Sequence, residues 1–334
     1  MSSEQESLRE KVLRFFEEKR GEYLSGAAVA KRLGVSRVAV WKAVESLREE
    51  GFRFSAATRR GYALDAASDV LTEEALRACL SKDSPVRRMV CLETVDSTNT
   101  YAKRLALGGA ESGTLVIANQ QTAGRGRRGH SFLSPPGTGL YMTLILRPGA
   151  DMEQFQRITP AAAVAVCLTL EALTEARPLI KWVNDIYLRR GQEERKVCGI
   201  LSEAVSDVET GSIESVVVGL GVNLTTRNFG GVDIAGSVFA EGSLKPASRA
   251  QIAAGIAERL MDFAGRLEDP ELIRAYRERS LLLGREITYQ QDGETCQARA
   301  LDIDAAGGLV VENESGERRT LRSGEVFQVR PFKD

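Results

Sequence analysis

The stretch Gln121-Thr-Ala-Gly-Arg-Gly-Arg-Arg-Gly129 sets three glycines and three arginines into six residues, just after the apolar run Thr114-Leu-Val-Ile-Ala118. Glycine lets backbone approach a ligand closely, and arginine brings a forked, permanently charged donor, so this loop is built to close on an anion. Three more segments carry side chains of the same use. Asp96-Ser-Thr-Asn99 gathers small polar groups at a strand-to-helix junction, where they can cap the helix or bond a small polar ligand. Lys181-Trp-Val-Asn-Asp185 interrupts an apolar strand with an amide and a carboxylate, which burial penalises unless a metal, a cation or a turn compensates. Lys196-Val-Cys-Gly-Ile200 leads a lysine into a strand beside a glycine that permits close ligand approach. Arginines, a lysine, a carboxylate suited to magnesium and small polar groups together form the set that carboxylate adenylation requires. In that reaction a substrate carboxylate attacks the α-phosphate of ATP. The two anions repel, so catalysis is largely neutralisation and alignment.

Other chemistries fit less well. Gly124, Gly126 and Gly129 also spell Gly-x-Gly-x-x-Gly, but a dinucleotide fingerprint needs its last glycine to open a helix. Here His130-Ser-Phe-Leu-Ser-Pro-Pro-Gly137 follows, and the acid at a suitable distance, Asp151, lies beyond a Pro148-Gly149 turn. No Gly-x-x-x-x-Gly-Lys-Ser/Thr loop is present, which disfavours a P-loop kinase. His130 is the only histidine, so Ser-His-Asp chemistry would have to centre on it. Cys79, Cys91, Cys167, Cys198 and Cys296 lack Cys-x-x-Cys spacing, indicating neither zinc nor a disulfide framework and suiting a reducing cytoplasm. No apolar run is long enough to span a membrane, and the polar, acidic start does not read as a signal peptide.

The 334 residues must divide into several domains to position these groups, and an α+β class is expected. Residues 1–66 read as a winged helix-turn-helix, with 13 Lys and Arg against 10 Asp and Glu. An amphipathic helix carries Leu8, Val12, Phe15 and Phe16; Ser25 and Ser36 can cap two short helices about a turn at Gly34. Val29, Ala30, Leu33, Val35, Val40 and Ala43 are the expected core. Phe52-Arg-Phe54 and Gly61-Tyr-Ala-Leu64 flank a basic hairpin tip. Ser36, Arg37, Trp41 and Lys42 are the expected base-reading face, and Arg59 and Arg60 the phosphate contacts. A linker helix is expected over 67–85, beginning near Thr72. Residues 86–280 read as a mixed-sheet catalytic domain, partly antiparallel because the linkers between 179 and 224 are too short for crossover helices. Residues 281–334, short strands broken by Asp-Gly, Gly-Gly and Ser-Gly turns, read as a small SH3-like barrel.

In combination and order, Asp-Ser-Thr-Asn, the glycine–arginine loop, Lys-Trp-x-Asn-Asp, Arg-Lys-x-x-Gly-Ile-Leu and Gly-x-Gly-x-Asn resemble the motifs of the biotin–protein ligases. With a winged helix in front, the chain is similar to the bifunctional class that joins biotin–acetyl-CoA-carboxylase ligase to biotin operon repressor. The resemblance covers nearly the whole chain. It implies a class II synthetase-like central fold, formation of biotinyl-5′-AMP from biotin and Mg2+-ATP, and transfer of biotin to a lysine of the biotin carboxyl carrier protein. It also implies an adenylate-bound homodimer on operator DNA of biotin genes. Carried over by position, Ser97, Thr98, Asn99 and Gln121 contact biotin, and Arg125, Gly126 and Arg127 order over biotin and adenylate. Lys196 bridges the biotin carboxylate and the α-phosphate, acting with Arg125 and Arg127 as the catalytic cations. Gly124, Arg127, Arg128, His130, Trp182, Asn184, Asp185 and Asn223 serve ATP or adenylate, with Asp185 facing magnesium, although Trp182 reads equally as core packing beside the site. Two departures stand out: His130-Ser-Phe132 replaces the arginine or tryptophan that often follows the loop, and Val183 replaces a proline. The competing readings are a lipoate or octanoate ligase and a non-catalytic transcription factor that senses a small acid; the latter has no need of Lys196 or the Asn184-Asp185 pair.

Overall fold

The computed structural model describes residues 6–147, 152–206, 213–241, 247–291 and 294–329. The Pro148-Gly149 turn, Asp151, Asp292-Gly293 and residues 330–334 lie outside them. Two compact units are present, one comprising the chain up to Ser84 with the segment ending at Gly255, the other the remainder.

In the first unit, α1 (Leu8–Glu17), α2 (Gly26–Leu33) and α3 (Arg37–Glu49) precede the hairpin β1 (Phe54–Ala57) and β2 (Gly61–Leu64), followed by α4 (Glu73–Cys79). Ser7, Ser25, Ser36 and Thr72 each accept a backbone N–H of the helix they open, as the sequence predicts for Ser25 and Ser36. Gly34 ends α2 at φ 68°, a left-handed conformation that costs a side chain strain, and so turns the chain into α3. Val12, Leu13, Phe16, Val29, Val40, Val44 and Leu47 are fully buried. Leu33 and Val35, expected in this core, are only half-buried because they flank the Gly34 corner. The 67–85 segment does not stand apart. Its helix α4 packs on α1 through an ion pair of Arg77 with Glu10 at 2.9 Å and another joining Arg9 and Glu74.

The second unit is built on a seven-stranded sheet ordered β3-β4-β5-β9-β8-β7-β6. Its strands are β3 (Arg88–Val95), β4 (Thr114–Gln121), β5 (Gly139–Leu146), β6 (Pro178–Lys181), β7 (Asp185–Arg190), β8 (Glu193–Ser206) and β9 (Ile213–Asn223). Only β3 and β4 are parallel, joined by the crossover helix α5 (Thr98–Leu107); the other pairings are antiparallel. Register then decides which side chains share a face. Thr143 lies opposite Gly219, which lies opposite Leu201, and Tyr141, Gly221 and Gly199 align in the next row. On that same face, Ala102 and Ala106 of α5 bury Val116, Ile145, Val205 and Val217, so α5 covers part of the face and its N-terminus opens onto the rest. The long α6 (Met152–Leu173) packs against β6, β7 and β8 and against α8 (Pro270–Glu278), while α7 (Arg249–Ala264) lies between them in sequence.

A second, five-stranded antiparallel sheet runs β13-β12-β11-β10-β14. It comprises β10 (Glu286–Gln291), β11 (Glu294–Ile303), β12 (Leu309–Glu312), β13 (Arg318–Leu321) and β14 (Val326–Val329). It joins the large sheet through Trp182, whose indole N–H donates to Gly307 O at 3.0 Å, and through Arg285, paired with Glu194 at 2.8 Å. Among the described residues, no helix is long and apolar enough to cross a membrane.

Candidate functional site

The open part of the sheet face is a cleft of about 390 Å³. Its floor is made of glycines, and space is the reason. A Cβ on Gly219 would lie 1.9 Å from Asn99 Oδ1, and one on Gly221 would lie 2.5 Å from the Phe132 ring. The absent side chains leave room for Asn99 and Phe132 to stand on the floor.

One wall is the first turn of α5. Ser97 caps the helix and is 2% exposed; Thr98 and Asn99 are equally buried, so capping and lining the cleft are both served by this motif. Thr98 donates its backbone N–H to Gln121 Oε1 at 2.9 Å, with its hydroxyl 3.0 Å from the same oxygen. Gln121 Nε2 donates to Ser134 Oγ at 2.8 Å. Neutral hydrogen-bonding groups therefore dominate this end.

The opposite end is cationic. Lys181, Lys196, Arg127 and Arg128 line it together with Asp185 and Glu325. Simple alternation along β8 would turn Lys196 away from the face that carries Gly199. A β-bulge prevents this: Ile186 pairs with Cys198 but Tyr187 with Lys196, so Val197 is the extra residue and Lys196 is re-aimed onto the cleft. Its backbone is fixed by Lys196 N donating to Ile234 O at 2.7 Å. Lys196 Nζ lies 2.7 Å from Asp185 Oδ1, an ion pair by distance. The oxygen nevertheless has no partner meeting hydrogen-bond geometry, and neither does Asn223 Oδ1, although Asn223 is only 5% exposed. Asp185 and Asn223 both line the cleft and bring the carboxylate and amide oxygens that a magnesium site retaining water and phosphate ligands uses.

The Lys181-Trp-Val-Asn-Asp185 segment corrects the expectation of a continuous strand. Residues 182–184 form the turn between β6 and β7, and Lys181 pairs with Asp185 across it. The turn resolves the predicted burial conflict, since Asn184 Nδ2 donates to Ile200 O at 2.9 Å and its Oδ1 accepts from Arg127 at 3.2 Å. Val183 sits in this turn after a cis peptide with Trp182, rather than preserving a strand, and its carbonyl accepts from Tyr276 at 3.1 Å. Trp182, expected among the nucleotide contacts, is 4% exposed and holds the second sheet through Gly307; it borders the cleft as a packed wall.

The glycine–arginine loop is a single turn, not a helix start: Arg128 takes φ 52° and His130 returns to extended backbone. The dinucleotide geometry is therefore absent. Gly124 is buried against Phe132 O, where a Cβ would come within 2.3 Å, so this glycine serves the loop's own packing. Arg125 lies 3.7 Å from Glu203, and Arg128 lies 3.7 Å from Glu325, just before β14. Burial, and then the neighbouring Arg128, hold the Arg127 pKa below its ordinary value. Burial and the nearby Lys196 charge likewise lower that of Lys181, against the opposing pull of Asp185. These groups share a region of concentrated positive charge.

The cleft thus gathers Ser97, Thr98, Asn99, Gln121, Arg125, Gly126, Arg127, Arg128, His130, Trp182, Asn184, Asp185, Lys196 and Asn223, all expected from sequence. Sequence reasoning missed Lys181, Phe132, Phe229, Val232, Ile234 and Glu325, which also line it. Lys181 sat inside a noted motif. The others lie on loops and turns, which only the folded chain brings to the cleft.

In the first unit, Arg37, Val38, Trp41 and Lys42 are exposed on one face of α3, opposite the buried Val40, Ala43, Val44 and Leu47. Ser36 caps α3 with its hydroxyl oxygen, accepting from Ala39 N at 3.1 Å, a bond that does not use its O–H donor. Arg59 stands at the hairpin tip with φ 67°, and Arg60 lies over the Tyr23 ring at 4.3 Å.

A helix-turn-helix unit combined with a glycine-floored, cation-ended cleft defines a ligase-like protein with a DNA-binding module. The biotin/lipoate A/B protein ligase family model matches residues 91–223, an HTH domain model residues 8–63, and a biotin protein ligase C-terminal domain model residues 282–328. The bifunctional ligase/repressor BirA of Bacillus spizizenii is 31% identical over 94% of this chain and 96% of its own length. The protein of the same name from Escherichia coli is 34% identical over 62% of this chain and 61% of its own. The biotin protein ligase of Aquifex aeolicus, solved with biotin and ATP, superposes with TM-score 0.57 at 26% identity, over 73% of this chain and 99% of that one. The chain belongs to the biotin–protein ligase family, among the bifunctional ligase/repressors.

Proposed function

We propose that this protein activates biotin with ATP to biotinyl-5′-AMP and passes the biotinyl group to a lysine of a biotin carboxyl carrier protein, and that it represses transcription as an adenylate-bound dimer. The observation that carries the catalytic reading is the polarity of the cleft. Thr98, Asn99 and Gln121 offer neutral hydrogen bonds at one end, suited to the uncharged ring system of biotin. Lys196, Arg127, Arg128 and Lys181 stand at the other, where a carboxylate and a triphosphate must meet. In the first step the biotin carboxylate oxygen bonds to the α-phosphorus and pyrophosphate leaves. In the second, the carrier lysine amine attacks the acyl carbon, loses its proton, and AMP leaves. Lys196, re-aimed by the bulge, is assigned to the contact between carboxylate and α-phosphate, with Arg125 and Arg127 closing over them. Magnesium would arrive with ATP, Asp185 and Asn223 of the cleft lining would hold it, and it would supply charge neutralisation at the phosphates.

Repression rests on different residues. Arg37, Trp41 and Lys42 on α3, with Ser36 at its start, are assigned to base edges, and Arg59 and Arg60 to phosphate. The deciding experiment is mass spectrometry of the product formed with Mg2+-ATP and either biotin or lipoate. Biotinyl-AMP from biotin alone is expected. Lipoyl-AMP in its place overturns the substrate, and no adenylate from folded protein leaves a ligand-sensing DNA-binding protein.

A further inference from the structure

Glu203, near the end of β8, lies outside the cleft lining but touches the residues that form it. Its side chain is 18% exposed. Oε2 accepts from Asn99 Nδ2 at 2.9 Å, Lys103 of α5 reaches Oε1 at 2.6 Å, and Arg125 of the glycine–arginine loop stands 3.7 Å from that same oxygen. Burial works to raise the Glu203 pKa, but the bonds from Lys103 and Asn99 and the charges of Lys103 and Arg125 outweigh it and hold the group ionised.

An ionised carboxylate only accepts hydrogen bonds, so Asn99 must present its amide N–H to Glu203. The second amide N–H goes to Leu201 O at 3.1 Å, which leaves Asn99 Oδ1 to accept from Thr143 at 2.7 Å. The single hydroxyl proton of Thr143 is then committed. Thr98 Oγ1 lies 2.9 Å from Thr143 Oγ1 and 3.0 Å from Gln121 Oε1, so its own proton goes to one of those two oxygens. Either way Thr98 keeps a lone pair for a ligand N–H.

We infer that Glu203 is a positioning residue for the ring end of the ligand: together with Leu201 O it holds the donor–acceptor sense of the Asn99–Thr143–Thr98 chain, and it tethers Arg125, while Lys103 occupies the shared oxygen and keeps that tether loose. The inference rests on the biotin reading, in which the ureido N–H groups are the donors. It also accounts for a carboxylate placed beside a cleft that binds anions: its charge is engaged by Lys103, Asn99 and Arg125.

Steady-state kinetics with biotin and Mg2+-ATP test it in the full-length protein. Glu203→Leu removes the acceptor and is expected to raise the biotin KM about tenfold, with kcat and the ATP KM within about twofold. Glu203→Gln, whose amide oxygen can still accept from Asn99, should recover part of that loss. If Glu203→Leu fails to fold, Lys103→Met provides the second readout. With the shared oxygen free, Arg125 closes on Glu203, and tryptic cleavage within the loop should slow about threefold in ligand-free protein. An unmoved biotin KM, an equal change in kcat, or loop cleavage as fast as wild type overturns the inference. Failure of the wild-type protein to adenylate biotin would instead overturn the biotin reading itself.

Discussion

Lys196 and Asp185 form the most exposed point of the catalytic reading. They neutralise one another across 2.7 Å, so removing either leaves an uncompensated partner. Lys196→Ala is expected to lower the rate of biotin-dependent pyrophosphate release by about 100-fold or more, the usual scale for deleting a charge aimed at a transition state. The same variant should still bind DNA; a loss below about fivefold would remove Lys196 from the catalytic set. Gly221 gives a second, independent check of the cleft floor. Gly221→Ala places a methyl 2.5 Å from Phe132, and the ring must move. An overpacking cost of about 1–3 kcal/mol is expected in urea denaturation, accompanied by a raised biotin KM. Unchanged stability and KM would mean that Phe132 is not held over that glycine in solution.

The secondary-structure elements show what could be read before folding and what could not. Gly34, Ser25 and Ser36 announce the helix-turn-helix because caps and a left-handed corner are local features. A change there should be local too: Gly34→Ala forces a side chain into φ 68° and should cost about 1–2 kcal/mol, detected as weakened DNA binding with adenylation intact. Adenylation falling in parallel would show that the corner matters beyond its own unit. In the cleft, the motifs supplied residue types in the right order, but Lys196 reaches its position only through the bulge at Val197, and no sequence pattern marks that bulge. Thr143, Phe132 and Glu203 were illegible for a related reason. Thr143 matters through its register with Gly219, Phe132 through its loop packing over Gly221, and Glu203 through its bond to Asn99 of α5, and each of these joins residues far apart in the chain. Trp182 was legible only as one of two readings, nucleotide contact or core packing, and the turn that gives the indole to Gly307 while it borders the cleft is a feature of the folded chain. Glu194, which ties Arg285 of the second sheet to β8, carries an acid prediction. Burial raises its pKa, but Arg285 and Arg189 lower it further, so the net shift is downward from 4.5. Its stabilising contribution is therefore complete above pH 4.5 and lost as the pH falls through the depressed native value. In a Trp41→Phe background, leaving Trp182 as the only tryptophan, Glu194→Gln should flatten the loss of thermal stability between about pH 5 and pH 3. An unaltered pH profile would show that this pair is solvated and energetically idle.

For the molecule as a whole, the proposal that one ligand serves both activities makes a thermodynamic demand. If adenylate orders the glycine–arginine loop, and the ordered loop favours self-association, then DNA binding by two α3 helices is linked to occupancy of a cleft in the other unit. Linkage is reciprocal, so DNA must tighten adenylate binding by the same factor that adenylate tightens DNA binding. A factor of about 5–150 corresponds to the ordinary range of coupling free energies, about 1–3 kcal/mol. The measurement is fluorescence anisotropy on a duplex selected from a random library by the protein itself, with and without biotin and Mg2+-ATP, alongside sedimentation to follow association. Arg59→Ala and Arg60→Ala serve as internal standards. Each should weaken binding to all sequences and reduce the salt slope by about 0.9, because phosphate contacts release counterions without regard to base identity. Arg125→Ala, in contrast, should leave the affinity for DNA without ligand unchanged and reduce the adenylate-dependent increment. Equal DNA affinity with and without adenylate would separate the two activities and make the winged helix a passenger of the ligase. An increment that survives Arg125→Ala would keep the coupling but remove the glycine–arginine loop as its origin.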